Sequence, residues 1–172
     1  MINYDLTKIK MLAFDVDGVL SRQTVGLGTD GQPQRTVNIQ DGYALQLAVK
    51  RGLHIAIITG AKTKETAIRY QNLGIEDIHL GCQVKIGIYQ KILQQQELKN
   101  EEVLYMGDDI PDWEIMQQVG LPCCPADAAI EIKEISRYIS PHKGGDGCVR
   151  DVIEQILRAQ DLWMTDKTAF GW

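Results

Sequence analysis

The sequence contains no apolar run that approaches the roughly 20 residues that a membrane-spanning helix needs. Its opening segment, MINYDLTKIK, lacks the apolar core of a signal peptide. Basic residues are not in excess either, since 18 lysines and arginines face 23 aspartates and glutamates, a net charge of −5. We therefore expect a soluble, cytoplasmic protein whose main partner is neither a membrane nor a nucleic acid.

Cysteine is scarce, and its spacing does not suit a structural role. The chain has four cysteines, of which two are adjacent and none forms a CxxC pair: Cys82, Cys123, Cys124 and Cys148. Such spacing argues against a zinc site and against a disulfide framework. We expect reduced thiols, as is usual in the cytosol.

What is present is the material for one globular domain. The 172 residues, of which 44% are hydrophobic, fit a single domain spanning 1–172. Short apolar strands alternate with segments of helical spacing, which predicts an α/β fold with a parallel sheet and helices on both faces. Strands are predicted at 9–15, 53–59, 77–80 and 103–107, with short edge strands in GLPCCP and YIS; helices are predicted at 42–51, 63–73, from about 86, at 111–119 and at 148–159.

Two segments depart from this alternation. Residues 21–40 resemble a β-hairpin inserted after the first strand, with strands at about 24–28 and 34–39. Because an isolated hairpin is only marginally stable, it should pair with the parent sheet or with another subunit. Residues 160–172 form a tail with three aromatic side chains; disorder is the usual state of a terminus, although exposed aromatic side chains are costly in water.

Acidic and polar side chains follow the predicted strands at the points where the strands end. Ligands of open α/β sheets bind beyond the carboxyl ends of the strands, so these side chains should face one crevice. They are Asp15 and Asp17 after the first strand, Thr59 and Gly60 after the second, Lys85 after the third, and Asp108, Asp109 and Asp112 after the fourth.

These residue types fit the chemistry of phosphoryl transfer. Several carboxylates without a histidine or cysteine partner form an all-oxygen site that suits Mg²⁺. One of these aspartates, left partly free, can attack phosphorus as a nucleophile while its neighbour gives and takes the proton. Thr59 can hydrogen-bond the phosphoryl oxygens, and Lys85 can neutralise the transferred group. A lysine in the first turn of a helix opposes the helix dipole, which indicates that another partner holds it there.

Further residues are candidates for contact with the rest of a substrate. Lys62 and Arg69 lie on or near the helix after the second strand and could bind a carboxylate, although they could equally be solvated surface charges. The segment GGDGC could hold an anion at a helix N-terminus through Gly144, Gly145 and Gly147, or could be a plain turn.

The motifs DVDGV, ITG, Lys85 and GDDIPD resemble, in order and spacing, the four motifs of the haloacid dehalogenase superfamily. Together with DGY, ADA and GGDGCVRD they are similar to its capless branch, whose members dephosphorylate an eight-carbon keto-sugar acid for lipopolysaccharide synthesis. The resemblance, which spans about 10–159, implies a Rossmann-like domain and a homotetramer whose hairpins pair centrally. It also implies Asp15 as nucleophile, Asp17 as acid/base, Thr59 and Lys85 as phosphoryl ligands, and Arg69 and the glycine segment near the sugar acid. Gly60 and Lys62 are further candidates for substrate binding. The resemblance also implies active sites completed by a neighbouring subunit, which a tail such as 160–172 can reach. For the metal it implies Asp15, the Asp17 carbonyl and Asp108 as ligands, with Asp109 and Asp112 supporting the metal and Lys85.

The sequence departs from this branch at charged positions. Arginine is common there where this chain has Gln40, Ala61 and Asp146, and an acidic residue is common where it has Arg22. None of these positions handles the phosphoryl group, so the departures bear on the substrate and not on the reaction. A nine-carbon keto-sugar acid phosphate is therefore an alternative substrate.

A non-enzymatic alternative is a receiver-type signalling domain, which is also an α/β fold phosphorylated on aspartate. Such a domain normally has adjacent acids after its first strand and its phosphorylated aspartate after a later one. The spacing of Asp15 and Asp17 differs from that pattern, and an acid/base at Asp17 would speed hydrolysis of the phosphorylated state. The sequence favours the phosphatase.

Overall fold

A computed structural model describes residues 1–172 and contains a six-stranded parallel sheet and a separate two-stranded one. The large sheet has the order β5-β4-β1-β6-β7-β8. Its strands are β1 (Met11–Phe14), β4 (His54–Ile58), β5 (Asp77–His79), β6 (Val103–Met106), β7 (Leu121–Cys124) and β8 (Tyr138–Ile139). The small antiparallel sheet pairs β2 (Gly26–Leu27) with β3 (Pro33–Gln34).

Helices cover both faces of the large sheet, which confirms the predicted fold class. The helices are α1 (Ile39–Lys50), α2 (Lys64–Gln71), α3 (Ile86–Gln96), α4 (Trp113–Met116), α5 (Ile130–Ile135) and α6 (Cys148–Ala159), with 3-10 turns at Leu6–Lys8, Asn100–Glu102, Ile110–Asp112 and Lys167–Phe170. No helix combines the length and the apolar character that crossing a bilayer requires.

The alternation of side chains along β1 divides the core in two. Leu12 and Phe14 belong to a cluster that includes α1 and α6, while Met11 and Ala13 belong to a second cluster that includes α3, α4 and α5. Successive side chains of a strand point to opposite faces of the sheet. Because helices cover both faces, all four residues of β1 are fully buried. This burial on both faces fixes the position of the carboxylates that follow β1.

Some predicted elements differ from the structure. The segment GLPCCP was predicted as an edge strand, but β7 pairs with strands on both sides and its four residues are buried; β8 is the edge. The helix predicted at 111–119 is a 3-10 turn followed by the four residues of α4. Helix α5 was not predicted at all.

The inserted hairpin is shorter than predicted, with two residues in each strand. Its second strand, predicted at 34–39, ends at Gln34. The last predicted strand residue, Ile39, is instead the first residue of α1, which begins there because the Asn38 side chain accepts hydrogen bonds from the backbone of Gln40 and Asp41. The base of the hairpin is closed by Ser21, whose hydroxyl accepts from the Thr36 backbone at 3.1 Å. The small sheet forms no ladder with the large one.

The C-terminal segment packs against its own chain. Trp163 is only 8% exposed and joins the core, and Arg51 forms an ion pair with Asp166. The Tyr43 hydroxyl donates to the Ala169 carbonyl at 2.5 Å. Phe170 and Trp172, the other two aromatic residues of the tail, remain 70% and 64% exposed. Contact of the tail with a neighbouring subunit stays a prediction and now concerns these two side chains.

Candidate active site

The three central strands bring the predicted catalytic residues to one cleft of about 650 Å³. Strands β4, β1 and β6 are neighbours in the sheet, and each ends at this cleft. Asp15 follows β1, Thr59 follows β4, Asp108 follows β6 by two residues, and Lys85 stands at the start of α3. The cleft is lined by Asp15, Asp17, Gly18, Gln23, Thr59, Gly60, Ala61, Cys82, Gln83, Lys85, Asp108, Asp109, Pro111, Asp127 and Ala129.

Lys85 bridges two buried carboxylates. Its Nζ lies 2.7 Å from Asp15 Oδ2 and 2.7 Å from Asp112 Oδ1, and the side chain is only 4% exposed. Burial opposes the charged form of Lys85, but the charges of Asp112 and Asp15 outweigh it and raise the pKa of the lysine. The lysine is thus held as a cation beside Asp15, which explains its place in the first turn of a helix.

Asp112 lies beneath the cleft and connects the residues that form its floor through hydrogen bonds. Its carboxylate accepts hydrogen bonds from Lys85 and from the Tyr105 hydroxyl at 2.6 Å. It also accepts from the backbone N–H groups of Asp108 and Asp109, at 3.0 and 3.4 Å. The residue is fully buried and its oxygens are already engaged, so it orders the loop after β6 and holds Lys85.

Two carboxylates in the cleft are unusually easy to protonate without a cation. Burial, followed by the charge of Asp112, raises the pKa of Asp15 to about 6 even though Lys85 lowers it. Burial and the charges of Asp112 and Asp15 raise the pKa of Asp108 to about 7. Concentrated negative charge of this kind is offset by a metal ion.

The donor set at this position fits Mg²⁺. Oxygen atoms of Asp15, Asp108 and Asp112 lie within 4.8 Å of one another, and no nitrogen or sulfur ligand is among them. Because the oxygens of Asp112 already accept hydrogen bonds, Asp15 and Asp108 are the carboxylates that would hold the ion. Gly18 makes room for this arrangement, because a Cβ there would lie 1.9 Å from Asp108 Oδ2. Its φ of +82° also favours glycine. Asp109 lines the same cleft but is exposed.

Asp17 has a partner that the sequence analysis missed. Arg35, which follows β3 in the hairpin, donates from Nε to Asp17 Oδ1 at 2.7 Å and from Nη2 to Oδ2 at 2.8 Å. The two residues are 18 positions apart, and no local motif marks the pair. Gln23 was also missed; its side-chain amide donates to Asp108 Oδ2 at 3.2 Å.

The predicted substrate-binding residues lie in different places. Gly60 lines the cleft, whereas Lys62 is exposed and packs beside Gly81. Arg69 lies outside the cleft lining and approaches Gly42, where a Cβ would be 2.5 Å from its Nη2. Within one subunit, Lys62 and Arg69 are therefore separate from the residues around Asp15, and their contact with substrate stays a prediction.

The glycine segment packs under the cleft. A Cβ on Gly144 would lie 1.9 Å from the Gly18 carbonyl oxygen, and the Gly145 N–H donates to Val19. Gly147, with φ of +105°, precedes α6. The anion at this helix N-terminus comes from the chain itself, because Asp41 accepts from the Arg150 backbone N–H at 2.6 Å.

Two of the residues at which this chain departs from the family pattern, Arg22 and Asp146, form an ion pair. Arg22 donates from Nε and Nη2 to Asp146 Oδ1, at 3.0 and 2.9 Å. The resemblance implies an acidic residue at the first position and an arginine at the second, so this chain has the opposite sign at both positions, and here the two side chains pair. Asp146 is therefore matched to its neighbour and does not leave an uncompensated charge.

This chain is similar to known hydrolases. A family model described as haloacid dehalogenase-like hydrolase matches residues 84–152. The 3-deoxy-D-manno-octulosonate 8-phosphate phosphatase of Yersinia pestis is 37% identical over 153 residues, which cover 89% of this chain and 82% of the relative. The Escherichia coli K12 phosphatase of the same name is 36% identical over 152 residues, covering 88% and 81%.

Solved structures show the same fold. A haloacid dehalogenase superfamily hydrolase from Legionella pneumophila superimposes with a TM-score of 0.91 at 34% identity, covering 96% of this chain and 91% of that one. The 3-deoxy-D-manno-octulosonate 8-phosphate phosphatase of Moraxella catarrhalis, in complex with a magnesium ion, a phosphate ion and a KDO molecule, gives 0.87 at 31% identity, covering 91% and 90%.

The fold, the cleft and these similarities define the class of the protein, which is a phosphoric monoester hydrolase. The chain belongs to the haloacid dehalogenase superfamily, in the family that contains the 3-deoxy-D-manno-octulosonate 8-phosphate phosphatases. The resemblance stated from the motifs is thereby confirmed.

Proposed function

We propose that this enzyme hydrolyses 3-deoxy-D-manno-octulosonate 8-phosphate to the free sugar acid and phosphate in a Mg²⁺-dependent reaction. The observation that carries the proposal is the position of Asp15, which lies in the cleft 2.7 Å from Lys85 and beside Asp108. The substrate is inferred from relatives of that activity at 36–37% identity over most of both chains.

In the first step an Asp15 oxygen attacks phosphorus and the bond from phosphorus to the sugar oxygen breaks. Asp17 gives its proton to that sugar oxygen, so the sugar acid leaves as an alcohol. In the second step water attacks the phosphorus of phosphorylated Asp15 and gives a proton to Asp17. The bond from phosphorus to Asp15 then breaks and phosphate leaves.

The residues around Asp15 stabilise the charge that moves during these steps. Lys85 contacts the Asp15 carboxylate directly and would follow the negative charge as it passes to the phosphoryl oxygens. Thr59 is 1% exposed, lines the cleft and offers its hydroxyl to the phosphoryl group. Asp15, Asp108 and the Asp17 carbonyl would hold Mg²⁺, which supplies Lewis-acid polarisation of the phosphoryl oxygens. Asp109 and Asp112 support this arrangement from the loop after β6.

The proposal extends to the compartment, the oligomeric state and the biosynthetic role of the enzyme. The whole chain acts as one cytoplasmic domain, assembles as a homotetramer and serves lipopolysaccharide precursor synthesis. What supports assembly is the hairpin, because an isolated two-stranded sheet is marginal alone and Leu27 on it is 74% exposed.

A second substrate is a nine-carbon keto-sugar acid phosphate. The observation that favours it is Ala61, which lines the cleft where the family commonly has arginine and so removes a cation that could bind a sugar carboxylate. Either substrate would use the same reaction at Asp15.

Phosphate release from both sugar acid phosphates, measured with and without Mg²⁺, tests the proposal. We expect Mg²⁺-dependent release that is greater with the eight-carbon substrate, and none from Asp15→Asn. Turnover of neither keto-sugar acid phosphate would contradict the substrate, and Mg²⁺-independent release would contradict the mechanism.

A further inference from the structure

Arg35 donates a hydrogen bond to each carboxylate oxygen of Asp17. Its Nε and Nη2 donate to Oδ1 and Oδ2 at 2.7 and 2.8 Å, the two-pronged geometry in which a guanidinium binds a carboxylate most specifically. The Asp17 side chain is 43% exposed, whereas that of Arg35 is only 13% exposed. The arginine is therefore the fixed member of the pair, and the aspartate is the member that needs fixing.

The arginine is itself held from two directions. Its Nη1 donates to the Thr63 hydroxyl at 3.1 Å, and Thr63 in turn shares a hydrogen bond of 2.9 Å with Thr66 at the start of α2. The next residue, Thr36, is bonded to Ser21 through its backbone N–H. The guanidinium thus has a defined position between the hairpin and α2.

The ion pair is not needed to close the hairpin. Ser21 and Thr36 already join its two ends through the Thr36 N–H bond and a hydroxyl contact of 3.3 Å, and the Thr36 hydroxyl also accepts from the Arg22 backbone at 3.1 Å. What the pair adds is an orientation for Asp17. A misplacement of about 1 Å in a reacting group can cost on the order of 100-fold in rate.

We propose that Arg35 is a positioning residue that aims the Asp17 carboxylate for proton transfer. This inference rests on the proposed function, in which Asp17 is the acid and base. It assigns the inserted hairpin a direct part in the reaction, because the hairpin returns the chain from Asp17 to a point where Arg35 reaches back to it.

The test uses p-nitrophenyl phosphate, whose leaving group departs as an anion and needs no proton. Phosphorylation of Asp15 then proceeds without help from Asp17, while the second step still needs Asp17 to accept a proton from water. In stopped-flow measurements with Mg²⁺, Arg35→Gln should keep the wild-type rate of the first nitrophenolate burst. Its later steady-state rate should fall about 10- to 100-fold, a fraction of what a general base contributes.

Three further variants serve as comparisons for Arg35→Gln. Asp17→Asn should show the same pattern of a preserved burst and a slow steady state, and Arg35→Lys, which keeps the charge but not the fork, should lie between wild type and Arg35→Gln. Arg22→Gln is the matched control, since it removes an arginine–aspartate pair from the same hairpin without touching Asp17, and it should behave as wild type.

Two results would overturn the inference. A burst and a steady state that fall together in Arg35→Gln would mean that the arginine only maintains the fold of the cleft. Unchanged kinetics would mean that Asp17 needs no positioning. Absence of Mg²⁺-dependent turnover in the wild-type enzyme would instead count against the proposed function.

Discussion

Replacing Asp112 by asparagine removes the charge on which the floor of the cleft depends. Asparagine has one carbonyl oxygen, which accepts at most two hydrogen bonds, whereas Asp112 accepts four. If that oxygen keeps the two backbone N–H groups, the new NH₂ group faces Lys85, which can only donate. A charge-assisted hydrogen bond worth about 1.5–3 kcal/mol is lost, and a buried charge loses one of its two partners.

A smaller effect acts in the opposite direction. The Asp112 charge contributes to the raised pKa values of Asp15 and Asp108, so removing it relieves some repulsion. Breaking a buried ion pair on one side costs about 3–5 kcal/mol, and Lys85 keeps its contact with Asp15, so we expect a net loss near the lower end, about 3 kcal/mol. For a chain of this length that lowers Tm by about 6–12 °C.

Urea unfolding and thermal melts of the metal-free protein measure this loss. Asp109→Asn is the matched control, because it makes the same chemical change three residues away on an exposed side chain and should stay within about 0.5 kcal/mol of wild type. Asp112→Asn should also lower phosphatase activity, since Lys85 is no longer held from below. Equal stability of the two variants would mean that the Asp112 charge does not stabilise the residues beneath the cleft.

Three other predictions concern the metal, the turn beneath it and the tail. Burial raises the pKa values of Asp15 and Asp108 to about 6 and about 7, above the ordinary value of 3.8, so the metal-free protein loses stability as the pH rises from about 4 through 7. Mg²⁺ must displace these protons, so calorimetry in two buffers should show proton release at about pH 6 that vanishes by about pH 8; pH-independent affinity would contradict this. Gly18→Ala should weaken Mg²⁺ binding at least tenfold by displacing the Asp108 carboxylate. Gly31→Ala, at a similar positive φ with nothing within 4 Å, should leave Mg²⁺ affinity unchanged and lower stability by only about 1–2 kcal/mol. Equal metal affinity in the two would show that the Gly18 contact is unimportant. Replacing the exposed Phe170 and Trp172 by serine should change KM or turnover while altering stability by less than about 1 kcal/mol. Unchanged kinetics in a tetramer would exclude a role of these residues in a neighbouring active site.

The arrangement of the phosphoryl-handling residues could be predicted from the sequence because it follows from the sheet. Strands buried on both faces read as apolar runs, and in a parallel sheet their carboxyl ends lie at one edge. Asp15, Thr59 and Asp108 are each within two residues of such an end, so locating the strands located the residues. The order of the motifs then led to the superfamily, which the comparisons confirm.

Several ion pairs and hydrogen bonds in and near the site could not be predicted, because they join residues far apart in the sequence that no local pattern connects. Arg35 meets Asp17 only because the hairpin folds back, and Arg22 meets Asp146 across 124 positions. Asp41 occupies the N-terminus of α6, where the sequence suggested a place for a substrate anion. In each case a side chain of the protein satisfies a charge that local sequence left open.

In the proposed reaction the phosphoryl group passes through Asp15, so the phosphorylated protein should be trapped during turnover. Acid quenching during turnover of 3-deoxy-D-manno-octulosonate 8-phosphate with Mg²⁺, followed by digestion and mass spectrometry, should find phosphate on the peptide that contains Asp15. Asp15→Asn should show neither the modification nor turnover. Phosphate release at the wild-type rate from Asp15→Asn, or a phosphoryl group on a different residue, would contradict the account.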